Sequence, residues 1–202
     1  PELDETYHSV HGAIQEAKHV FIENGLKLID QNDIRVFEVG FGTGLNAMLS
    51  EQYSRNNNVS VLYHSIEAFP VEIELINKLN YNELINEDAV YFKTIHSCEW
   101  EVETVVSDRF KLKKIESKME AFQSELNFYD IVFFDAFGPR AQREMWSIVI
   151  LEKMHNCLVS GGKLVTYCAQ GQFKRDLKAI GFEVVNVPGP PGKREMTMAT
   201  KL

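Results

Sequence analysis

A chain of 202 residues and 23.2 kDa, 45% hydrophobic and 25% charged, is long enough to bury one full-sized core and has the composition of an ordinary globular domain. Its formal charge of -8 and pI near 5.3 exclude a protein that grips nucleic acid by bulk charge, though not one with a local basic patch. No apolar run approaches the ~20 residues of a membrane helix. The three cysteines (Cys98, Cys157 and Cys168) form no CxxC or zinc-ligand pattern, so a reducing cytoplasm is the expected compartment.

The opening PELDETYHSV is acidic and polar, unlike a secretory leader, and it starts on Pro1 rather than Met, so a further N-terminal piece is expected. Val10, Ile14, Ala17 and Phe21 share one helical face, and Asn24-Gly25 stops that helix. Residues 34–39 read as a buried strand and 45–53 as a helix closed by the polar SRNNN. Residues 59–66 give the next strand, ending at Glu67, and 71–79 a helix with Pro70 in its first turn. Residues 80–108, around Trp100, carry no clear period. Residues 110–115 alternate apolar and Lys positions, as a half-exposed strand does.

Residues 129–134 read as a fully buried strand followed by the breaker GPR, and 145–158 as an amphipathic helix ending at Gly161-Gly162. A strand at 164–168, a helix at 173–180 and a strand at 183–187 follow. After PGPPG, REMTMATK supplies a last strand. With no repeat, low-complexity tract or linker, residues 1–202 are expected to form one domain, residues 1–30 packing on it as a helical segment. Such alternation predicts an α/β, doubly wound, mostly parallel sheet with helices on both faces. Ligands of such sheets bind beyond the strands' carboxyl ends, which singles out residues 40–44, Glu67, residues 135–140 and the segment after Cys168.

Gly40, Gly42 and Gly44 lie between a strand and a helix, where glycine serves a sharp turn or a close backbone approach. A P-loop needs Gly-Lys-Ser/Thr, and the chain has Gly-Leu-Asn instead. A dinucleotide fingerprint needs glycine at position 45, which is Leu45. There remain a GxGxG loop facing an adenosyl group, as in S-adenosylmethionine enzymes, and a plain tight turn. Glu67 suits a ribose, whose two hydroxyls one carboxylate can accept, or is merely a strand-end acid. Glu38 lies within an apolar strand, where a charge is costly unless paired, and a ligand ammonium would supply the pair.

Asp135 follows the most apolar strand, with Phe137, Pro139 and Trp146 close in sequence. Aromatic walls can hold a sulfonium or a flat base, and an Asp beside them can take a proton or orient an amine. Capping of the next helix is the alternative, weakened by the distance to Gln142. Arg140, Arg143, Lys193 and Arg194 follow strand ends or loops and are candidate RNA contacts. Lys111, Lys113, Lys114 and Lys118 read as a solvated strand edge. His8 and His11 form an HxxH pair with no further ligand at metal spacing, so no metal is expected.

Together, FEVGFGTGLN, FFDAFGPRAQREMW and PGPPGKREMT resemble the methyltransferase domain of the MnmC-type tRNA 5-methylaminomethyl-2-thiouridine enzymes. ETYHSVHGAIQEAKHVFIENGL resembles that family's N-terminal segment, so the similarity spans nearly the whole chain. The resemblance implies a Rossmann-like class I methyltransferase fold, with seven strands and the last antiparallel. It implies methyl transfer from S-adenosylmethionine to the aminomethyl nitrogen of a wobble uridine in tRNA. Carried over by position, Glu38, Gly40, Gly42, Gly44 and Glu67 match the cofactor motif and Asp135 the acid beside the methyl group. Phe41, Thr43 and Asn46, in and just after the loop, complete the candidate cofactor set.

Where that family has a Gly-Asp pair near the adenine, this chain reads IESKME, and Glu116 is the candidate substitute. The candidate substrate contacts are Phe137, Pro139, Arg140, Trp146, Lys193 and Arg194. Two-domain members carry a flavin oxidoreductase half, so a separate oxidoreductase acting upstream is an expected partner. A small-molecule N- or O-methyltransferase and a non-catalytic adenosyl-binding module remain the alternatives on this fold.

Overall fold

The structure, a computed structural model, describes residues 10–202. The strands are β1 (Asp33–Val39), β2 (Ser60–Glu67), β3 (Thr104–Ser107), β4 (Phe110–Glu116), β5 (Tyr129–Phe134), β6 (Leu158–Thr166), β7 (Phe182–Pro188) and β8 (Glu195–Lys201). They form one sheet in the order β3-β4-β2-β1-β5-β6-β8-β7. The pairs from β4 through β2, β1 and β5 to β6 are parallel, whereas β8 runs antiparallel to both its neighbours. The expected seven strands and antiparallel last strand are present. The eighth, β3, pairs antiparallel with β4 at the edge. Its four residues are too short to show a period in sequence.

Strand periodicity builds a core on each face of the sheet. In β5, Ile131 and Phe133 join the cluster of Val20, Phe21 and Met48, while Val132 and Phe134 face Leu151 and Leu177. The first face is covered by α1 (Val10–Ala17), α2 (Leu45–Asn57), and the short α3 (Ile73–Ile76), α4 (Tyr81–Leu84) and α5 (Ala89–Ser97). The second is covered by α6 (Ile148–Cys157) and α7 (Gly171–Ala179). After α1 the chain continues as a π-helical turn, Lys18–Glu23, and closes at Asn24. Gly25 follows where a Cβ would stand 2.1 Å from the Phe21 carbonyl oxygen, so no side chain fits.

Several boundaries differ from those read in sequence. The helix α2 runs through SRNN and stops only at Asn58, whose left-handed φ of 57° ends it. The 71–79 helix is confined to α3, and residues 80–108 resolve into α4, α5 and β3. Gly161-Gly162 does not stop α6. The pair lies inside β6, where the register against β5 shifts, so the glycines serve a strand irregularity.

The lysine run does not lie on an edge strand, because β3 covers β4; Lys111 and Lys118 are exposed, but Lys114 is 2% exposed. The Lys114 ammonium donates to the His96 carbonyl and lies over the Trp100 and Phe41 rings. His8 lies outside the described residues, and among the described residues no group of His, Cys, Asp and Glu could hold a metal. No helix among them is long and apolar enough to cross a membrane.

Candidate active site

From β1 the chain winds outward to β2, and from β5 outward the other way to β6, so a crevice opens between β1 and β5 at their carboxyl ends. A cleft of about 520 Å³ occupies it. That is within the roughly 300–1,000 Å³ of small-molecule sites. The loop after β1 and the residues after β5 are joined directly, since the Asp135 N–H donates to the Val39 carbonyl at 3.0 Å.

The loop glycines have different causes. A Cβ on Gly40 would stand 2.9 Å from the Asp135 carbonyl oxygen, and one on Gly44 would meet the His96 ring at 2.9 Å. These two are glycines because protein approaches them. Gly42, at φ 50°, has nothing within 4 Å of its Cβ position and lines the cleft. Its missing side chain leaves room in the cleft itself.

Across from it, the Glu67 carboxylate accepts the Gly42 N–H at 3.0 Å on one oxygen and the Phe69 N–H at 2.9 Å on the other. Each oxygen retains a further lone pair. Thr43 and Tyr81 share a hydroxyl hydrogen bond of 3.1 Å beside the loop. Phe41, Leu45 and Asn46 continue the wall into the first turn of α2, whose N–H groups have no side-chain cap.

The other end of the cleft is a set of charges. Asp135 is half-buried at the end of β5, and Asn46 Nδ2 donates to its Oδ2 at 2.8 Å. Burial pushes the Asp135 carboxyl up to about 7, a rise that the Asn46 bond opposes. The charge of Glu16 adds to the rise and that of Lys193 opposes it. Glu16, on α1, lines the cleft and pairs with the Lys193 ammonium. That ammonium stands 4.1 Å from the centre of the Tyr167 ring. The Tyr167 hydroxyl in turn donates to the Ala136 carbonyl at 2.8 Å, locking the ring against the segment after Asp135.

Not every candidate from the sequence reaches the cleft. Glu38 is buried below it at 0% exposure, accepting the Ser65 hydroxyl at 2.6 Å on one oxygen, with the other unpartnered. Burial pushes its carboxyl up to about 8, so in this structure the cost of a charge in the strand is met by keeping the proton. Glu116 is exposed at the end of β4, opposite Glu67 in register and outside the cleft lining.

Trp146 is buried as a strut. Its Nε1 donates to the Phe137 carbonyl at 2.8 Å, and its ring meets Phe134 and Phe173 edge-on. Phe137 itself lines the cleft and is 58% exposed. Pro139 does not line it, and Arg140, Arg143 and Arg194 are exposed outside the lining. Lys193 is turned onto Glu16 and Tyr167.

The sequence did not single out Glu16, Tyr167, Tyr81 or Phe69, all of which line the cleft. Tyr167 directly follows β6, a position the strand-end rule covers. Glu16 lies one turn after Ala13 on its helix, and both line the cleft with Ala17.

A mostly parallel sheet with an antiparallel last strand, a GxGxG turn after β1 and a carboxylate stitched to that turn from the end of β2 define a class I methyltransferase fold. The chain belongs to the S-adenosyl-L-methionine-dependent methyltransferase family, whose model matches residues 81–202, including Asp135. Its cofactor is therefore S-adenosylmethionine.

The chain is 29% identical over 215 residues to the tRNA 5-methylaminomethyl-2-thiouridine biosynthesis bifunctional protein MnmC of Cupriavidus necator, a match covering 99% of this chain and 32% of that protein. It is 30% identical over 171 residues to the MnmC of Campylobacter hominis, covering 84% of this chain and 26% of that one. The chain thus spans about a third or less of the length of these curated relatives. Among solved structures it shares its fold with MnmC2 of Aquifex aeolicus, at TM-score 0.67 and 22% identity, over 96% of this chain and 62% of that one. A putative methyltransferase from Listeria monocytogenes shares the fold at TM-score 0.56 and 12% identity, over 96% of this chain and 100% of that one.

Proposed function

We propose that S-adenosylmethionine lies between the 40–44 loop and Glu67, and that its methyl group passes to the aminomethyl nitrogen of a modified wobble uridine in tRNA. The observation that carries this is the pairing, in one cleft, of an open Gly42 floor beside Glu67 with a half-buried Asp135 held by Asn46. Gly42 allows close approach, and Glu67 has lone pairs for two ribose hydroxyls. Phe41, Thr43 and Asn46 line the same end.

Bound cofactor supplies an activated methyl group on a sulfonium; the chain supplies alignment and proton handling. Alignment of a lone pair with the methyl carbon can lower a barrier by several kcal/mol, out of an upper range of roughly 7–11. An alkylammonium has no lone pair until it loses a proton. Asp135, at about 7, can accept that proton near neutrality and then steady the charge that develops on nitrogen. The exposed Phe137 ring offers a face on which a uracil can stack.

The choice of tRNA rests on the names of the relatives, which match along 99% of the chain. With a net charge of -8, phosphate contact falls to exposed side chains such as Arg140, Arg143 and Arg194. The relatives are named as bifunctional, and we propose that an oxidoreductase activity generating the amine acts upstream of the methyl transfer. We also propose that residues 1–202 act as one domain, α1 forming a wall of the cleft.

Incubation with S-adenosylmethionine and tRNA bearing the aminomethyl group, followed by nucleoside mass analysis, tests the proposal. The expected product is the N-methylated nucleoside, formed from tRNA far faster than from the free nucleoside. Methylation of free small amines with tRNA untouched would replace tRNA by a small-molecule acceptor, which the acidic charge also suits. Arg140→Ala combined with Arg194→Ala should raise the KM for tRNA and flatten its salt dependence, the slope falling by about 0.7–0.9 for each phosphate no longer neutralised.

A further inference from the structure

Lys193, exposed and outside the cleft lining, makes contacts with two lining residues that methyl transfer does not explain. It comes from the turn between β7 and β8, where its N–H donates to the Pro190 carbonyl at 2.9 Å and Gly192 takes a left-handed φ of 87°. A lysine in such a turn could extend into solvent. Instead its ammonium pairs with the Glu16 carboxylate on α1, half-buried at 28% exposure, and stands 4.1 Å from the centre of the Tyr167 ring. Carboxylate and aromatic face together are what an alkylammonium needs, one supplying charge and hydrogen bonding and the other cation–π attraction.

Both residues line the cleft beside Asp135, Ala136 and Phe137. The α1 wall is also fixed to this turn by His19, whose Nε2 is 2.8 Å from the Pro188 carbonyl oxygen. Chemically, Lys193 is a primary amine on an alkyl stem, the same class as an aminomethyl group.

We infer that Glu16 and Tyr167 form an ammonium subsite at the acceptor end of the cleft, that Lys193 fills it in the resting chain, and that the acceptor's alkylammonium enters by displacing Lys193. The inference rests on the proposed amine acceptor and adds how that amine is selected. Glu16 recognises the charged acceptor, Lys193 keeps the carboxylates from standing unbalanced, and Asp135 takes the proton once the amine is seated. No bond is made or broken in the exchange; one ammonium replaces another on the same carboxylate. An uncharged ligand of similar shape gains nothing from Glu16 and has no means of displacing Lys193, so the exchange selects for amines.

The test uses n-propylammonium as the probe and n-butanol as its uncharged counterpart, titrated into the full chain saturated with S-adenosylhomocysteine. Binding to every protein is followed by ligand-observed saturation-transfer NMR on the probe itself, and in the wild type also at the Lys193 ε-methylene, assigned by its loss in Lys193→Ala. In the wild type, propylammonium should shift the Lys193 signal and butanol should not. Lys193→Ala removes the internal competitor and should tighten propylammonium binding by about five- to tenfold, since affinity scales with the fraction of sites open. Glu16→Gln should abolish the binding while leaving the melting temperature and the S-adenosylhomocysteine affinity near wild type.

Propylammonium binding equal in all three proteins, or absent even from Lys193→Ala, would overturn the subsite. Methylation of aminomethyl tRNA, run alongside, separates the two proposals. Retained tRNA methylation without ammonium binding removes the subsite alone. Ammonium binding without tRNA methylation removes the tRNA acceptor alone.

Discussion

The two ends of the cleft draw on the chain in opposite ways. The proposed cofactor end comes from one contiguous turn, residues 40–44, and a single acid on the neighbouring strand. The Gly42 backbone N–H joins the turn to Glu67, whose other oxygen is held by the Phe69 N–H. The proposed acceptor end gathers Glu16, Asn46, Asp135 and Tyr167, with Lys193 paired to Glu16 from outside the lining, from five separated segments joined through side chains and their charges. A site made of backbone shape binds, and its damage appears as lost affinity. A site made of side-chain charges in a low-dielectric crevice handles protons, and its damage appears in rate and pH dependence.

The largest effect belongs to the acceptor end. Asp135→Asn keeps the shape and removes the proton acceptor, so kcat should fall by the ~10²–10⁴-fold typical of a lost general base. Calorimetry should find S-adenosylmethionine affinity little changed, and a thermal melt should show a folded protein. Were Asp135 only a helix cap, Asn would serve as well and both activity and stability would survive.

Damage to the cofactor end should read the other way. Glu67→Ala removes the acceptor for two backbone N–H groups and, in the proposed binding mode, for two ribose hydroxyls, and should weaken the cofactor by roughly 1–3 kcal/mol. Gly42→Val forces a β-branched residue into a left-handed backbone, at about 1–2 kcal/mol, and fills the floor of the cleft. Unchanged affinity in both variants by calorimetry would remove the cofactor from this loop.

A smaller, pH-dependent effect sharpens the contrast. The Asn46 hydrogen bond holds the Asp135 carboxyl down, so Asn46→Ala should raise it above about 7. Since only the ionised carboxyl accepts a proton, the rising limb of the pH–rate profile should move to higher pH, and activity should recover in alkaline buffer at saturating cofactor. A loss of the same size at every pH would mean that Asn46 acts on geometry instead.

The smallest effect is on stability. The folded-state value of Glu38 is raised from 4.5 to about 8, so across that interval the unfolded chain has released a proton that the folded chain keeps. Stability therefore falls as pH rises between those values, and Glu38→Gln should flatten that slope. Chemical denaturation of the two proteins at pH near 5 and near 8 measures it. Parallel pH dependence would show that the Glu38 carboxyl is not the group responsible.

The same contrast explains what the sequence revealed. The strand, the alternate glycines and Glu67 were legible because their spacing along the chain is their geometry. Asp135 was legible because the four buried residues before it, Ile131 to Phe134, could only be an interior strand. Glu16 and Tyr167 were not, since nothing local says that a helix near the N-terminus and the end of β6 meet over one cleft. Glu38 and Trp146 sit beside the motifs but are buried outside the cleft lining, which sequence adjacency does not reveal. Burial of an acid in a strand signalled a special environment correctly. In this structure that environment consists of the Ser65 hydroxyl and a retained proton. Strand β3 was hidden by its four-residue length and Lys114 by a neighbour that no periodicity announces.

Single-turnover methyl transfer to aminomethyl-bearing tRNA, with S-adenosylmethionine saturating for each variant, tests most directly whether the two ends do separate work. Saturation should rescue Glu67→Ala to within a few-fold of wild type, because its defect is affinity. It should leave Asp135→Asn slower by ~10²–10⁴-fold, because its defect is proton transfer. Equal rates in the two variants, or a near-wild-type rate in Asp135→Asn, would contradict the division of the cleft into a binding end and a proton-handling end.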